Sequence, residues 1–395
     1  CPGVVVKHLA TLAVIVSLAV LAVAGWWLAR GDMAFISASG LRKLTAAASA
    51  AVVASLLVRF WLGWLERRSV RRWALAAHPL SWLLGPLALL AASGLGMLAY
   101  RHVAQPSRHG DWSIGVYVSS GREPLEFQPL GTQPIITASH VTDLPCAFVA
   151  DPVLVAHEGG FVLFYEAWNT RSDHGDICLS TSPDGVTWSY EGRVLDESCS
   201  LSYPTVFEHA GGWYMIPESR DLAQLRLYRA TDFPARWVFD RVLLDGARYR
   251  DTNVVFHGDH WFLLTVAGYG RDLLVFVADD PRGPWRPHPG NPVVQDDLDH
   301  ARGGGSVVPH GGDLLRFTQD VSPYYGNRVR AVQITRLTPS AYRQVPLGNE
   351  PVLVGHDAWN TMGMHMLSCV QRADGRWLAA VDGHGRIIDT RPDWP

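Results

Sequence analysis

The feature that most constrains the fold of this chain is a segment of about seventeen residues that recurs five times in its carboxy-terminal part. Residues 150–166 and 202–218 align without a gap, and related copies begin at residues 250, 303 and 364. Each copy consists of two runs rich in β-branched and aromatic residues with a Gly-containing turn between them, which is the pattern of a β-hairpin. Recurrence of one supersecondary unit predicts a repeat architecture.

A second repeated element follows three of these hairpins, at residues 179–188, 228–237 and 276–285. It combines a strand, a turn with acidic residues and Pro, and an aromatic residue that starts the next strand. Two hairpins in every 50 residues or so predict four-stranded blades, and five such blades predict a closed β-propeller over residues 110–395. An irregular β-sandwich is the alternative, but it does not explain the gapless match of the first two copies.

Residues 1–109 differ from the repeats and predict a membrane region. Residues 9–28 contain no charged residue, and about 20 apolar residues suffice to cross a hydrocarbon core of about 30 Å. Residues 44–65, interrupted by Arg59, and residues 78–100 are two further candidate helices. The second could instead lie at the interface, because a charge in mid-membrane is costly. The predicted fold class is therefore an all-β five-bladed β-propeller preceded by an α-helical transmembrane region, in an integral membrane protein.

Charge divides the chain in the same way. Residues 1–109 hold 11 Lys and Arg against 2 Asp and Glu, whereas residues 110–395 hold 23 against 35. An acidic propeller argues against a nucleic-acid partner, because phosphate binding needs clustered cations. The basic loop at residues 67–72 favours an outward-facing propeller, but cations on the two sides of the membrane balance and leave the orientation open. Because the first residue is Cys1 and not Met, we expect a truncated amino terminus.

The propeller geometry gathers acidic residues at one mouth of the central channel. In each blade the innermost strand begins at the same face of the propeller at which its hairpin partner ends. A His stands at the turn of the first four hairpins, so the residue six before it and the residue nine after it should be neighbours. Allowing a longer turn in the last blade, this register pairs Asp151 with Glu166, Tyr203 with Glu218, Asp251 with Val266, Gly304 with Gln319 and His365 with Asp382. Glycoside cleavage requires two carboxylates, one to protonate the leaving oxygen and one to activate water or attack.

We therefore predict Asp151, Glu218 and Asp251 as the candidate catalytic carboxylates, and crowding of acids in a narrow funnel would raise the pKa of one of them into the useful range. The candidate substrate-binding residues are Glu166, Tyr203, Arg302, Gln319, Asp320, Trp359, His365 and Asp382. Four aromatic residues could stack on sugar faces or pack between blades, namely Trp168, Trp359, Tyr324 and Tyr325. Alternatively, the acids hydrogen-bond strand ends and neighbouring blades. No metal or cofactor is predicted, because the Cys residues are scattered and the repeated turn histidines diverge.

Several motifs resemble one known family. They are Phe-Val-Ala-Asp-Pro at residues 148–152, Leu-Ser-Tyr-Pro at 201–204, Tyr-Met-Ile-Pro-Glu-Ser at 214–219, Leu-Tyr-Arg-Ala at 227–230 and Gly-Pro-Trp at 283–285. In this order they resemble the propeller domain at the amino terminus of plant glucosamine inositolphosphorylceramide transferase, over roughly residues 111–395. That domain is similar to the five-bladed propellers of family 43 and family 32 glycoside hydrolases, in which a first-blade Asp acts as base or nucleophile and a Glu supplies the acid.

The resemblance implies roles for part of the predicted site. Asp151 takes the place of the first-blade Asp, and Asp251 resembles the Asp that tunes or orients in those hydrolases. The Glu-Gly/Ala-Pro strand start of family 43 is absent, Tyr203 and Pro204 stand in its place, and Glu218 is the nearest substitute. The plant transferase carries its sugar-transfer chemistry in a separate exostosin-like domain. The resemblance therefore implies a sugar-handling propeller near a membrane glycan or glycolipid, and not transfer itself.

Three functions are compatible with the sequence. The first is an enzyme that cleaves or transfers a glycosyl unit on a surface polysaccharide or glycolipid, with chemistry like that of a glycoside hydrolase. The second is a non-catalytic glycan-binding module that presents substrate to a separate partner glycosyltransferase. The third is a scaffold, which the acid-lined mouth disfavours.

Overall fold

The computed structural model describes residues 111–268 and 270–385, which form twenty β-strands arranged as five four-stranded blades. Blade 1 consists of β3 (Cys146–His157), β4 (Gly160–Asn169), β5 (His174–Ser182) and β6 (Ser189–Leu195). Blade 2 consists of β7 (Ser202–His209), β8 (Gly212–Glu218), β9 (Gln224–Asp232) and β10 (Arg236–Asp245). Blade 3 consists of β11 (Tyr249–His257), β12 (His260–Ala267), β13 (Leu273–Ala278) and β14 (Arg286–Pro287).

The last blade is built from both ends of the described chain. Blade 4 consists of β15 (Gly303–His310), β16 (Asp313–Asp320), β17 (Arg328–Thr338) and β18 (Ala341–Pro346). Blade 5 consists of β19 (Leu367–Gln371), β20 (Trp377–Gly383), β1 (Ser113–Ser119) and β2 (Phe127–Pro129). Because β20 pairs antiparallel with β1, the first strand completes the fifth blade. The inner strands β3, β7, β11, β15 and β19 contact one another in turn around the ring, including β19 with β3.

Blades 4 and 5 approach each other most closely at Gly305. This residue makes a parallel pairing with Leu367 and has a φ of 128°. A Cβ atom at this position would collide with the backbone carbonyl of Leu367. Glycine is therefore required here for two reasons, because side-chain-bearing residues disfavour this φ and because there is no room for a side chain.

The part of the predicted fold class that called for an α-helical transmembrane region is contradicted. The described residues are all-β, and their helical segments are two 3₁₀ turns, Ala138–His140 and Arg220–Leu222. Within residues 111–268 and 270–385, no helix has the length and apolar character needed to span a membrane. The physical reason is that their apolar residues occur in short strands separated by polar turns. The three predicted spans, 9–28, 44–65 and 78–100, lie outside the described residues.

The register of the inner hairpins differs from the predicted one by a single residue. In blade 1, Ala150 and not Asp151 pairs with Glu166, and a bulge follows before regular pairing resumes at Val153. The same one-residue offset and bulge recur in blades 2 and 3, whereas in blade 4 the pair of Gly303 with Thr318 is two residues out of register with the later pair of Val307 with Arg316. The first residue of the bulge has a positive φ in three blades, namely Asp151 (54°), Tyr203 (44°) and Asp251 (46°). A left-handed conformation is unfavourable for non-glycine residues and re-aims the bulged side chain.

The hydrophobic core lies between the faces of adjacent blades. Leu163 of β4 and Leu378 of β20 are both fully buried and belong to one cluster, which joins blades 1 and 5. The middle strand β4 buries six consecutive residues, Val162 to Ala167, because a blade lies against each of its faces. Such continuous burial explains why the strands near the axis lack a clear polar alternation.

Candidate functional site

The mouth of the central channel forms a funnel of about 630 Å³, including the part that is open to solvent. Acidic, basic and aromatic side chains contribute to its wall together. The lining residues are Trp112, Phe148, Ala150, Asp151, Glu166, Trp168, Ser200, Ser202, Glu218, Asp251, Arg302, Tyr325 and His365. A concave site with converging polar groups between aromatic walls is typical of a binding or active site.

Carboxylates at the funnel accept hydrogen bonds from the backbone N–H groups of the bulges. Asp382 of blade 5 accepts a hydrogen bond from the backbone N–H of Asp151 in blade 1 at 2.9 Å. Asp151 accepts one from the N–H of Tyr203 in blade 2 at 3.2 Å. Glu218 of blade 2 accepts one from the N–H of Asp251 in blade 3 at 3.4 Å. Each carboxylate thus pairs with the strained bulge of the next blade, which is the structural role that the sequence left open.

On one side of the funnel, Asp382, His365 and Asp151 form a buried series that we call the titratable side. His365 Nδ1 lies 2.8 Å from Asp382 Oδ1, and its Nε2 lies 3.4 Å from Asp151 Oδ1. Asp382 Oδ1 also accepts the backbone N–H groups of His365 and Met366. Oδ1 of Asp382 is therefore the shared acceptor of three groups, two backbone N–H groups and Nδ1 of His365. Asp151 Oδ1 accepts no hydrogen bond, and its nearest basic group is Nε2 of His365.

Burial and charge together adjust the proton affinity of this side. Burial raises the pKa of Asp151 to about 7, against an opposing effect of the neighbouring His365. Burial would lower the pKa of His365, but the carboxylates of Asp382 and Asp151 outweigh it and the pKa is raised. Both groups therefore bind a proton near neutral pH, and Asp151 and His365 can share one. A general acid or base requires such a pKa near the working pH.

On the opposite side, Asp251 and Arg302 form a buried ion pair that we call the fixed-charge side. The Nε of Arg302 donates to Oδ2 of Asp251. Burial would lower the pKa of Arg302, but the Asp251 carboxylate outweighs it and raises that pKa. The guanidinium also lies over the ring of Tyr325, with its Cζ 4.9 Å from the ring centroid. The guanidinium of Arg302 therefore stays charged at every physiological pH.

Aromatic rings form the apolar wall of the funnel. Trp112 lies 4.2 Å from the ring of His365, measured between centroids, and Tyr325 contacts His365 edge-on at 5.2 Å. Phe148 and Trp168 stack with their centroids 5.7 Å apart. Flat apolar rings beside carboxylates are what a sugar needs, because a pyranose has apolar C–H faces and polar edges.

Six of the residues predicted from sequence line the funnel together, namely Asp151, Glu166, Glu218, Asp251, Arg302 and His365. The others lie behind or away from it. Tyr203 is buried with its hydroxyl bonded to the backbone of Gly305, and Asp382 lies behind His365. Gln319 donates to a backbone carbonyl, that of Gly303.

Asp320 and Trp359 are also placed outside the funnel wall. Asp320 pairs with Arg328 and Arg330 of the neighbouring strand β17. Trp359 packs so closely against Gly115 that a Cβ atom there would overlap its ring. Both contacts are structural within blades 4 and 5.

Sequence reasoning missed five lining residues, Trp112, Phe148, Ala150, Ser200 and Ser202. Phe148 belongs to the motif that contains Asp151, and the two serines flank the start of β7, so their positions carried a usable signal. Trp112 carried none, because it precedes the closing strand β1 and lies outside the repeats. Among the described residues, Asp151, His365 and Asp382 present donor atoms within 4.8 Å of one another and could hold a cation.

Comparisons with known proteins give one consistent result. A family model described as glucosamine inositolphosphorylceramide transferase 1, N-terminal, matches residues 104–384. The glucosamine inositolphosphorylceramide transferase 1 of Oryza sativa subsp. japonica is 36% identical over a stretch that covers 70% of this chain and 40% of the relative. The protein of the same name from Arabidopsis thaliana is 34% identical over 69% of this chain and 39% of its own length. The chain thus spans about 40% of the length of these curated relatives.

A solved structure shows the same fold. A glycosyl hydrolase from Bacteroides ovatus superposes with a TM-score of 0.50 and 12% sequence identity, over 65% of this chain and 93% of that protein. At this identity the likeness concerns the fold alone, which is that of a propeller glycoside hydrolase.

Proposed function

This chain belongs to the family of the amino-terminal domain of glucosamine inositolphosphorylceramide transferase 1, and on that premise we propose that its funnel is an active site for a glycan or glycolipid that contains a hexosamine. The domain is a carbohydrate-active type of propeller. The substrate, the reaction and the roles of individual residues are our proposal.

One observation supports the catalytic form of this proposal. Asp151 is 6% exposed, has one carboxyl oxygen that accepts no hydrogen bond, and lies beside a histidine that can exchange a proton with it. Burial that raises its pKa to about 7 makes it suited to accept a proton at neutral pH. Asp151 would then activate water or attack the sugar, Glu218 would protonate the leaving oxygen, and Asp251 would orient the substrate with Arg302.

The charge of the funnel supports the choice of sugar. Four acids, Asp151, Glu166, Glu218 and Asp251, line the wall together with two basic groups, Arg302 and His365. Asp382 adds a further negative charge behind His365. An excess of carboxylates favours a neutral or cationic sugar over a uronic acid or a phosphosugar, because like charges repel in a buried site. The relatives are named for glucosamine, which carries an ammonium group when it is not acetylated.

A second candidate is a non-catalytic module that binds the glycan for a separate glycosyltransferase. The observation that favours it is the hydrogen bonding of Asp151, Glu218 and Asp382 to the backbone of neighbouring blades. Acids with such a structural role need no catalytic role. The named relatives are also much longer than the matched region, so chemistry elsewhere in those proteins is compatible with a binding role here.

Two variants distinguish the candidates. Asp151→Asn and Glu218→Gln would be assayed with the full chain against oligosaccharides that carry free or N-acetylated hexosamine. Product would be followed by mass spectrometry and binding by calorimetry. For an enzyme, both changes should lower turnover by about 10²- to 10⁴-fold while affinity changes less than about tenfold. Asp374→Asn, an exposed acid paired with Arg376 in the turn between β19 and β20, is the matched control.

The opposite result would identify a binding module. Wild-type protein that binds a glycan but releases no product, with both variants only weakening binding, would overturn the catalytic proposal. Loss of about 1 to 3 kcal/mol of binding free energy is then expected, because each variant removes an acceptor from a buried polar ring.

A further inference from the structure

A second cluster of metal-ligating side chains lies in blade 1, outside the wall of the funnel. His174 and Asp176 stand at the start of β5, and Asp196 directly follows β6. We call these three residues the rim cluster. At one end of blade 1, the start of β3 at Cys146 pairs with the end of β4 at Asn169, which pairs in turn with the start of β5 at His174. The rim cluster lies at this end, which faces the funnel mouth.

Three donor atoms of the rim cluster converge. Nε2 of His174 lies 3.2 Å from Oδ1 of Asp176 and 3.6 Å from Oδ1 of Asp196. Ligands bound to a tetrahedral zinc ion at about 2.0–2.1 Å are separated from each other by roughly 3.3–3.4 Å. The two measured separations therefore match the edges of a tetrahedral metal site.

Two of these atoms lack hydrogen bonds although they are buried. Asp176 is fully buried, and its Oδ1 accepts no hydrogen bond; Nε2 of His174 likewise has no hydrogen-bond partner. The two atoms lie 3.2 Å apart without the alignment of an N–H···O bond. A buried polar atom without a partner is costly, which points to a missing ligand.

The remaining oxygens of both carboxylates are already occupied. The guanidinium of Arg193 lies 3.2 Å from Oδ2 of Asp176 and 2.6 Å from Oδ2 of Asp196. The side chain of Asn169 donates to Oδ2 of Asp176 at 3.0 Å. These contacts fix both carboxylates with their Oδ1 atoms toward His174, as outer-shell groups do around metal ligands. Two carboxylates and one guanidinium leave one negative charge, which a divalent cation would offset.

We propose that His174, Asp176 and Asp196 bind a divalent transition-metal ion of the zinc class, with the fourth coordination position open. One imidazole nitrogen and two carboxylate oxygens suit zinc better than calcium or magnesium, which take oxygen ligands in larger number. None of the sequence motifs described above includes these three residues. The sequence gives only a weak signal, because the third ligand comes from a different strand.

The backbone links the proposed ion to the funnel. Gly175, between two of the ligands, donates its N–H to Ser200 and accepts the N–H of Leu201. A Cβ atom on Gly175 would collide with Glu166. Ser200 and Glu166 both line the funnel. An ion bound by His174 and Asp176, the two neighbours of Gly175, would therefore hold this part of the wall in place.

The test uses the full chain, stripped of metal with a chelator and titrated with zinc chloride by calorimetry. Cobalt(II) is titrated in parallel, because a tetrahedral site gives an intense visible absorption. We expect the wild type to bind one equivalent of metal. His174→Gln and Asp196→Asn should each lower the affinity for that metal by at least about tenfold. The matched control is His209→Gln. His209 pairs with Asp280, which Arg282 also contacts, but within the described residues His209 has no ion pair with a second carboxylate.

Each outcome decides the proposal. Asp196 is 45% exposed, so its Asn variant should fold even if the His174 variant does not, and circular dichroism verifies this. Absence of zinc binding by the wild type would overturn the proposal and leave two carboxylates held by Arg193 beside His174. Binding that persists unchanged in Asp196→Asn would also overturn it and would direct attention to Asp151, His365 and Asp382. Loss of one equivalent only in the rim variants would establish the site.

Discussion

The two sides of the funnel share the same backbone bulge but pair its carboxylate with different basic groups. Asp151 on the titratable side and Asp251 on the fixed-charge side occupy equivalent bulges, with φ values of 54° and 46°, and both are buried. Asp151 faces His365, whereas Asp251 faces Arg302. The backbone position therefore delivers a carboxylate to the axis, and the residue on a neighbouring blade decides whether that carboxylate can exchange a proton.

This difference supports a division of labour within one site. A carboxyl group whose pKa lies near 7 can take up and release a proton during a reaction. The ion pair of Asp251 with Arg302 instead presents charged groups that can orient a substrate. The proposed roles of Asp151 and Asp251 follow from this contrast, and three experiments test it.

The largest effect is expected on the fixed-charge side. Arg302→Met leaves Asp251 buried without its cation, which should lower the free energy of unfolding by about 3–5 kcal/mol. Urea denaturation of the full chain measures the loss. Adding Asp251→Asn in the same chain should restore part of it, because the unpaired charge is then removed.

An exposed ion pair supplies the control for this variant. Arg282→Met breaks a pair with Asp280 at the surface and should cost less than about 1 kcal/mol. If Arg302→Met costs no more than this control, the pair is not a fixed structural charge and the contrast between the two sides fails.

The repeats made the grouping of the site residues predictable. Asp151 and Asp251 occupy the same position at the start of their hairpins, and Glu218 ends the hairpin that lies between them in sequence. The register also joined His365 to Asp382, whose side chains are 2.8 Å apart. These are local signals, because a hairpin brings its two ends together whatever surrounds it. The membrane-helix prediction, by contrast, is contradicted in the described residues, where apolar side chains form strands.

The details that decide the chemistry were less accessible. The one-residue bulge depends on hydrogen bonds from the preceding blade, which no local pattern encodes. Gln319 and Asp320 were both assigned to the mouth, yet successive strand residues point to opposite faces, and Asp320 meets Arg330 of β17. Trp112 enters from the closing strand, so its place beside His365 requires knowledge of the closed ring.

The second experiment measures pH dependence, which should belong to the titratable side alone. The pKa of Asp151 rises from an ordinary 3.8 to about 7 on folding, so the folded state binds the proton more tightly. Its contribution to stability is present at low pH and is lost as the pH rises from about 4 to about 7. The raised pKa of His365 acts in the same direction, with its contribution lost as the pH rises above 6.5.

Comparison of wild type with Asp151→Asn separates the contribution of Asp151, together with its coupling to His365, from that of groups elsewhere in the chain. Between pH 5 and 7, the stability of the wild type relative to the variant should fall with a slope approaching about 1.4 kcal/mol per pH unit. Urea denaturation at intervals of half a pH unit would measure the slope. Parallel curves for the two proteins would mean that Asp151 does not exchange a proton in this range, and the proposed acid–base role would lose its physical basis.

The smallest effect concerns Tyr325, which touches both sides. Its ring lies under Arg302 and meets His365 edge-on, 5.2 Å between centroids. Tyr325→Leu should cost about 1–2 kcal/mol through the lost cation–π contact, whereas Tyr325→Phe keeps the ring and should cost little. If Arg302 is the main partner, the loss is equal at pH 5 and pH 8, because the guanidinium stays charged throughout. A loss that is clearly larger at pH 5 would instead assign the contact to protonated His365 and move Tyr325 to the titratable side, and an equal loss in the Phe variant would assign it to the hydroxyl group.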